Sequence, residues 1–181
     1  TKIEAIALDH HGEILARRRA PTPADDYDAI LRAICVLVHE IEYETNRRGN
    51  VGVGGPGELS AHNGLIRGSN TAVVNGKALD ADLSALLARP VRFENDANCF
   101  ALSEAVDGAG AGARVVFGVI LGTGVGGGVV IDGKIVAGRN HITGEWGHTP
   151  LPWMTREEYP GPHCFCGHDG CIETFLCGPA L

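Results

Sequence analysis

No apolar run in this 181-residue chain approaches the roughly 20 residues that a membrane-spanning helix needs. The opening TKIEAIALD alternates apolar and polar positions like a strand, and it lacks the charged-then-apolar layout of a secretory leader. Long basic runs are missing as well, and the net charge is −7. That balance argues against a nucleic-acid surface and fits small, mostly neutral ligands, with room for phosphate at a local positive site. An initiating methionine is also lacking. The chain begins at Thr1 and stops at LCGPAL, just after a motif-rich stretch, so it reads as a piece of a longer protein. What is abundant is glycine: 26 residues, about twice the average share. These glycines fall in short clusters, which predicts tight turns and loops where a ligand approaches the backbone. With 44% hydrophobic and 20% charged residues, the composition is that of a soluble globular protein. The length suits one large domain or two small lobes.

Along the chain, IEAIALD, a turn at HHG and EILARRRA read as a hairpin. In YDAILRAICVLVHEIEYETNRR the apolar residues Ile30, Ile34, Leu37, Val38 and Ile41 recur at three- and four-residue steps, which predicts an amphipathic helix capped by Asp25 or Asp26. NVGVGGPGEL reads as a short buried strand entering a Gly/Pro loop, and LDADLSALLARP as a short helix halted before Pro90. VRFEND predicts a strand, and ANCFALSEAVDG a helix ending at Gly108. After the joint GAGAGA come two strands about a Gly turn and a third beyond the Asp-Gly turn at 132–133. The segments LDHHGEILA and IDGKIVA share an order of apolar residue, Asp, turn Gly, charge and Ile. A strand–turn–strand opening used twice predicts two lobes of related topology with a joint near 108–113.

The stretch HCFCGHDGCIE packs three cysteines, two histidines and two carboxylates into eleven positions. Cys164, Cys166 and Cys171 have the spacing C-x-C-x4-C, with Gly167 and Gly170 for the sharp turns. Cysteines in C-x-C are too close for an unstrained mutual disulfide, and three is an odd number. Three thiolates with one imidazole make a tetrahedral zinc site, in which the fourth ligand could be His148, His163 or His168. The plainer reading, buried free thiols, suits Cys35, Cys99 and Cys177.

Three further stretches carry chemistry. In FENDANCF, Asp96 either caps the helix that follows or stands as a carboxylate at the end of a strand, where it could take a proton from a substrate hydroxyl. LGTGVGGG holds G-x-G-x-x-G (Gly122, Gly124, Gly127), but that dinucleotide fingerprint needs a helix immediately afterwards, and VVIDGKIVAG is a strand and a turn. A Gly-Thr-Gly turn between strands could still cradle phosphate through backbone N–H groups and the Thr123 hydroxyl, or be a plain Gly-rich hairpin. GEWGH sets Glu145 and His148 three apart, and Glu173 follows the last cysteine of the cluster by two residues. Carboxylates with Asn and imidazole suit neutral polyhydroxyl ligands, whose hydroxyls need both acceptors and donors.

Taken together, VGVGGPGEL, SNTAVVNGKALDADLSALL, FENDANCFALSEAVDGA, GVILGTGVGGGVVIDGKIVAG, GEWGHTPLPW and CFCGHDGCIETFLCGPAL resemble the ROK family of bacterial sugar kinases and sugar-sensing repressors, over essentially the whole chain and in the family's order. Within it, the wording around NDANCFALSEAVDGA and GEWGHTPLPW is most similar to fructokinases (manno(fructo)kinases), with N-acetylglucosamine kinases next. The resemblance implies an α/β fold, actin-like (ribonuclease H-like) and two-lobed, with sugar and ATP in the cleft. Here it is expected to be truncated at both ends: residues 1–110 as the small lobe, 111–181 as the start of the large lobe. It implies Asp96 as the catalytic base, and Gly55, Asn70, Asn95, Asp96, Glu145, His148 and Glu173 as the sugar site. His148, Cys164, Cys166 and Cys171 match the family's structural zinc set. Thr1 and Lys2, the tail of the first phosphate loop, and Gly122, Thr123 and Gly124, the second, would bind ATP with Mg²⁺. The implied activity is ATP-dependent phosphorylation of a hexose, fructose first. N-acetylglucosamine, glucose or mannose is the alternative, as is a sugar-sensing repressor without catalysis. A cytoplasmic homodimer with no nucleic-acid or membrane partner is expected, and the chain by itself is expected to turn over poorly.

Overall fold

The computed structural model describes residues 2–181; the expectation for Thr1 lies outside the described residues. Strands β1 (Lys2–Leu8) and β2 (Ile14–Pro21) form the antiparallel hairpin, in register from Lys2↔Pro21 to Ala7↔Ala16, with a register shift before Leu8↔Ile14. Asp9 closes its turn: Oδ1 accepts from His11 N–H at 2.8 Å and Glu13 N–H at 3.0 Å. Helix α1 (Tyr27–Thr45) begins where Asp26 Oδ1 accepts from Ala29 N–H at 2.9 Å. It stops three residues before the expected Arg48, because Asn46 takes the left-handed conformation at φ 48°.

The buried face of α1 supplies Ile30 and Leu31 to a core with Ile66, Val74, Leu79, Leu83, Leu87 and Val91. Leu79, Leu83 and Leu87 are one face of α2 (Leu79–Leu87), which ends at Ala88 in the left-handed region, two residues before Pro90. Strands β3 (Val51–Gly55) and β6 (Val91–Asn95) pair, as do the short β4 (Glu58–Leu59) and β5 (Ile66–Arg67). β3 is half-exposed in alternation, not buried throughout as expected. Cys35 packs against the core, where burial pushes its thiol pKa up.

Helix α3 (Asp96–Val106) lies on a sheet of β7 (Val115–Leu121), β8 (Val125–Ile131) and β9 (Lys134–Ile135). The Asp132-Gly133 turn between β8 and β9 has both φ values positive, 49° and 73°, as a two-residue hairpin loop of mirror type requires. Seating of α3 depends on missing side chains. Gly118 and Gly128 face each other in the β7–β8 register, and Ala101, fully buried, drops between them. A Cβ on Gly128 would stand 2.6 Å from Ala97 O and 2.8 Å from Ala101 Cβ. Gly128→Ala is therefore expected to cost about 1–3 kcal/mol, as overpacking usually does. A urea titration checks it, and a variant as stable as the parent would mean that α3 is not pressed onto the sheet there.

The chain divides into two compact units, Thr1–Glu94 and Asn95–Leu181. The joint expected near 108–113, and the lobe boundary at 110, fall inside the second unit, since α3 packs on β7 and β8 and goes with them. No helix of the described residues is long and apolar enough to cross a membrane.

Candidate functional site

The second unit holds most of the expected site. Asn95 caps α3: its Oδ1 accepts from Ala97 N–H at 2.9 Å and Asn98 N–H at 3.2 Å. The capping role weighed for Asp96 thus belongs to its neighbour. Asp96 stands exposed in the first helical turn, with Oδ1 2.9 Å from Ala97 N. Its carboxylate sits at the positive end of the helix dipole.

The turn Gly122–Thr123–Gly124 joins β7 to β8, closed by Gly122 N–H donating to Gly124 O at 2.9 Å. Thr123 is exposed. The strand β8 follows directly, as the rejection of a dinucleotide fingerprint requires. The next two glycines make room for neighbours. Gly126 faces Ala97 Cβ, and Gly127 faces the Phe117 ring, Trp146 and Gly144 O. Gly147 lies so close to Val125 O that no Cβ would fit. Trp146 Nε1 donates to Gly126 O at 2.8 Å and fixes the short 3₁₀ turn Trp146–His148 against β8. Glu145 and His148 flank that indole, which sequence reading passed over; the signal was GEWGH itself, where Trp sits between the two polar candidates.

Glu173 opens the one-turn helix α4 (Glu173–Leu176). Its Oε2 accepts from Val125 N–H at 2.8 Å, and a Cβ on Gly124 would meet that oxygen at 2.6 Å. The carboxylate therefore touches the end of the Gly-Thr-Gly turn. Gly178 N–H adds a second tie, donating to Gly122 O at 2.6 Å.

Two residues before Glu173 ends the cysteine cluster. The ligand atoms of His148, Cys164, Cys166 and Cys171 all lie within 4.8 Å of one another. His148 Nδ1 is 3.5 Å from Cys164 Sγ, and Cys166 Sγ is 3.6 Å from Cys171 Sγ. A tetrahedron with Zn–S of about 2.3 Å has edges of about 3.8 Å, so four such donors fit a zinc ion. His163 Nδ1 instead pairs with Asp169 Oδ1 at 2.8 Å on the surface, and His168 Nδ1 lies 3.6 Å from Cys166 Sγ. The loop is closed by Cys164 N–H to His168 O (2.8 Å), and it is joined to the segment after His148 by Ile172 N–H to Thr149 O (2.9 Å).

Burial pushes the Cys164 thiol up, and together with the neighbouring sulfurs pushes Cys171 up to about 12. Burial also pushes Cys166 upward, but hydrogen bonds from His168 and the other two sulfurs outweigh it and hold this thiol at about 6. One thiolate is easy to form here and three are not, unless a cation shares their charge.

The first unit holds Gly55 and Asn70. Gly55 ends β3 against Phe93, and Gly57 (φ 85°) sits on Arg67 O and Ser69 N, so the loops after β3 and β5 lie against each other. Asn70 is exposed beside buried Ser69. Lys2 is the first residue of β1 and exposed.

The ROK family matches residues 1–181. An N-acetyl-D-glucosamine kinase of Shigella boydii serotype 4 is 46% identical over 98% of this chain and 60% of its own. A ROK family glucokinase from Streptomyces griseus, solved with glucose and AMPPNP, superposes with TM-score 0.85 at 31% identity, over 99% of this chain and 55% of that one. The ROK hexokinase of Thermus thermophilus gives TM-score 0.80 at 34% identity, over 99% and 58%. The chain spans about 60% of the length of the curated relatives it matches. It belongs to the ROK family and has that family's actin-like sugar-kinase fold.

Proposed function

We propose that this chain carries the sugar site and part of the phosphate-binding machinery of an ATP-dependent hexose kinase, with N-acetylglucosamine as first substrate. The observation that carries the reaction type is Asp96. Because Asn95 does the capping, the Asp96 carboxylate is exposed at the start of α3, on the helix whose Ala97 packs beside Gly126 and Gly128 of β8. In that role Asp96 takes the proton of the sugar hydroxyl as its oxygen attacks the γ-phosphorus. The bond to the β–γ bridging oxygen breaks, and ADP leaves with its electrons. Mg²⁺ bound with ATP would offset phosphate charge. The backbone of Gly122–Gly124 would face phosphate oxygens, while Asn70, Asn95, Glu145, His148 and Glu173 would orient the sugar through paired donors and acceptors.

The names of the relatives support N-acetylglucosamine over the fructose expected from wording alone. Zinc is part of the proposal. It would hold the 148–171 segment as a closed four-ligand centre with no open position for a substrate. His148 would then serve twice, with Nδ1 toward the metal and its other ring nitrogen for a sugar hydroxyl. A cytoplasmic location and a homodimer complete the reading, on the family resemblance.

The test is ADP release by the protein at the length of its relatives, with N-acetylglucosamine, glucose, mannose and fructose side by side. Turnover is expected with N-acetylglucosamine above the other three. ADP formation with none of the four, despite sugar-dependent thermal stabilisation, would identify a sensor and overturn the kinase reading.

A further inference from the structure

Residues 66–77 make a closed loop in the first unit. Ile66 N–H donates to Lys77 O at 2.9 Å, and Gly76 N–H donates to Ile66 O at 2.7 Å, pinning its two ends. Ser69, inside the loop, is only 6% exposed, so its backbone N–H and C=O need partners within the protein. One side chain supplies both. Ser69 N–H donates to Asn75 Oδ1 at 2.9 Å, and Asn75 Nδ2 donates to Ser69 O at 2.9 Å.

The rest of the loop is braced in the same sense. Ser69 Oγ accepts from Thr71 N–H at 3.1 Å. Val74, next to Asn75, is buried in the core of the unit. On the other side Gly57, at φ 85°, would place a Cβ 2.7 Å from Arg67 O and 2.9 Å from Ser69 N, so no side chain separates the 55–57 turn from Ser69. Asn70 is thus the exposed residue between two held ones, Ser69 and Thr71.

We infer that Asn75 is a positioning residue for sugar recognition: its carboxamide clamps Ser69 on both backbone groups and so fixes the direction in which Asn70 meets a hexose hydroxyl beside the Gly55–Gly57 turn. The inference rests on the proposed hexose site. It adds a residue to that site which touches no ligand itself. Only an Asn-length carboxamide offers an acceptor and a donor at this reach; Asp offers two acceptors, and Ala offers neither.

The experiment uses steady-state kinetics of the full-length protein with N-acetylglucosamine, together with amide exchange. For N75A the KM for sugar is expected to rise roughly tenfold, about 1.4 kcal/mol of binding. kcat should stay within about twofold and KM for ATP should not move, the pattern of a lost ground-state contact. The Ser69 amide should exchange faster while those of Ile66 and Gly76 stay protected, which separates a clamp from general loosening. N75D keeps the size and the bond from Ser69 N–H but sets a carboxylate oxygen against Ser69 O. It should show the same KM-against-kcat split, and it serves where N75A fails to fold. Unchanged sugar KM in both variants, with turnover intact, overturns the inference and leaves the hexose site standing. A fall in kcat at unchanged KM overturns it too. An unsubstituted protein that binds none of the four hexoses overturns the hexose reading and the inference with it.

Discussion

Asp96→Asn in the full-length protein is expected to lower kcat by about 10²–10⁴-fold or more, the usual span for removing a positioned general base, while sugar affinity stays near that of the parent. The substitution swaps one carboxylate oxygen for an amide nitrogen and keeps the size of the side chain. The contact between Oδ1 and Ala97 N–H, 2.9 Å long, can persist. Stability should hardly move, because the cap of α3 is Asn95 and not Asp96. The matched control is Asn95→Ala. It deletes the acceptor for Ala97 N–H and Asn98 N–H, and it should cost about 1 kcal/mol of stability, as loss of a helix cap does. Calorimetric sugar titration beside the coupled assay resolves the two. Full turnover in Asp96→Asn would remove Asp96 as the base. Lost sugar binding together with lost turnover would make it a ligand contact first.

That pair of residues also shows what local sequence can and cannot decide. Asn and Asp are both strong capping residues, and FENDANCF offers them side by side. The choice is made by the backbone: Asn95 keeps the extended end of β6 (ψ 139°) while Asp96 already turns as helix. Elements set by near neighbours were legible. The i, i+3, i+4 pattern of α1 with its Asp26 cap, the Asp132-Gly133 turn, and the C-x-C-x4-C run all form as their spacing dictates.

Features set by distant partners were not legible in spacing alone, and His148 entered the zinc set only through the family resemblance. His148 stands 16 residues before Cys164, whereas His163 and His168 lie within the loop. Only the folded path, with Ile172 N–H bonded to Thr149 O, brings His148 to the thiols, while Asp169 engages His163. The glycines of VGGG look like more of the phosphate turn, yet each answers a neighbour from elsewhere: Ala97, Trp146 and Ala101. The division at Glu94/Asn95 follows from the same packing of α3 on β7 and β8, which no Gly/Ala joint announces.

Cys166→Ser is expected to abolish the proposed zinc binding, from about one equivalent per chain to a small fraction, since a closed four-ligand site needs all four donors. Cys166 is the ligand to change because it is half-buried, while Cys164 and Cys171 are 2% and 1% exposed and would leave a buried polar gap. The consequence should reach the phosphate turn through one side chain. Cys171 holds the backbone two residues before Glu173, and Glu173 Oε2 holds Val125 N–H at 2.8 Å. Amide exchange at Val125 should therefore speed up in Cys166→Ser and in chelator-treated protein. Glu173→Ala should do the same with the metal retained, whereas Glu173→Gln keeps an acceptor oxygen and should protect Val125 almost as the parent does. The melting temperature should fall in Cys166→Ser, because the binding free energy of a structural metal is also folding free energy for the segment it closes. Metal-free protein that retains both a slow Val125 amide and normal sugar affinity would break the chain of contacts from thiols to turn. It would leave the cysteine loop as a local staple with no hold on the site.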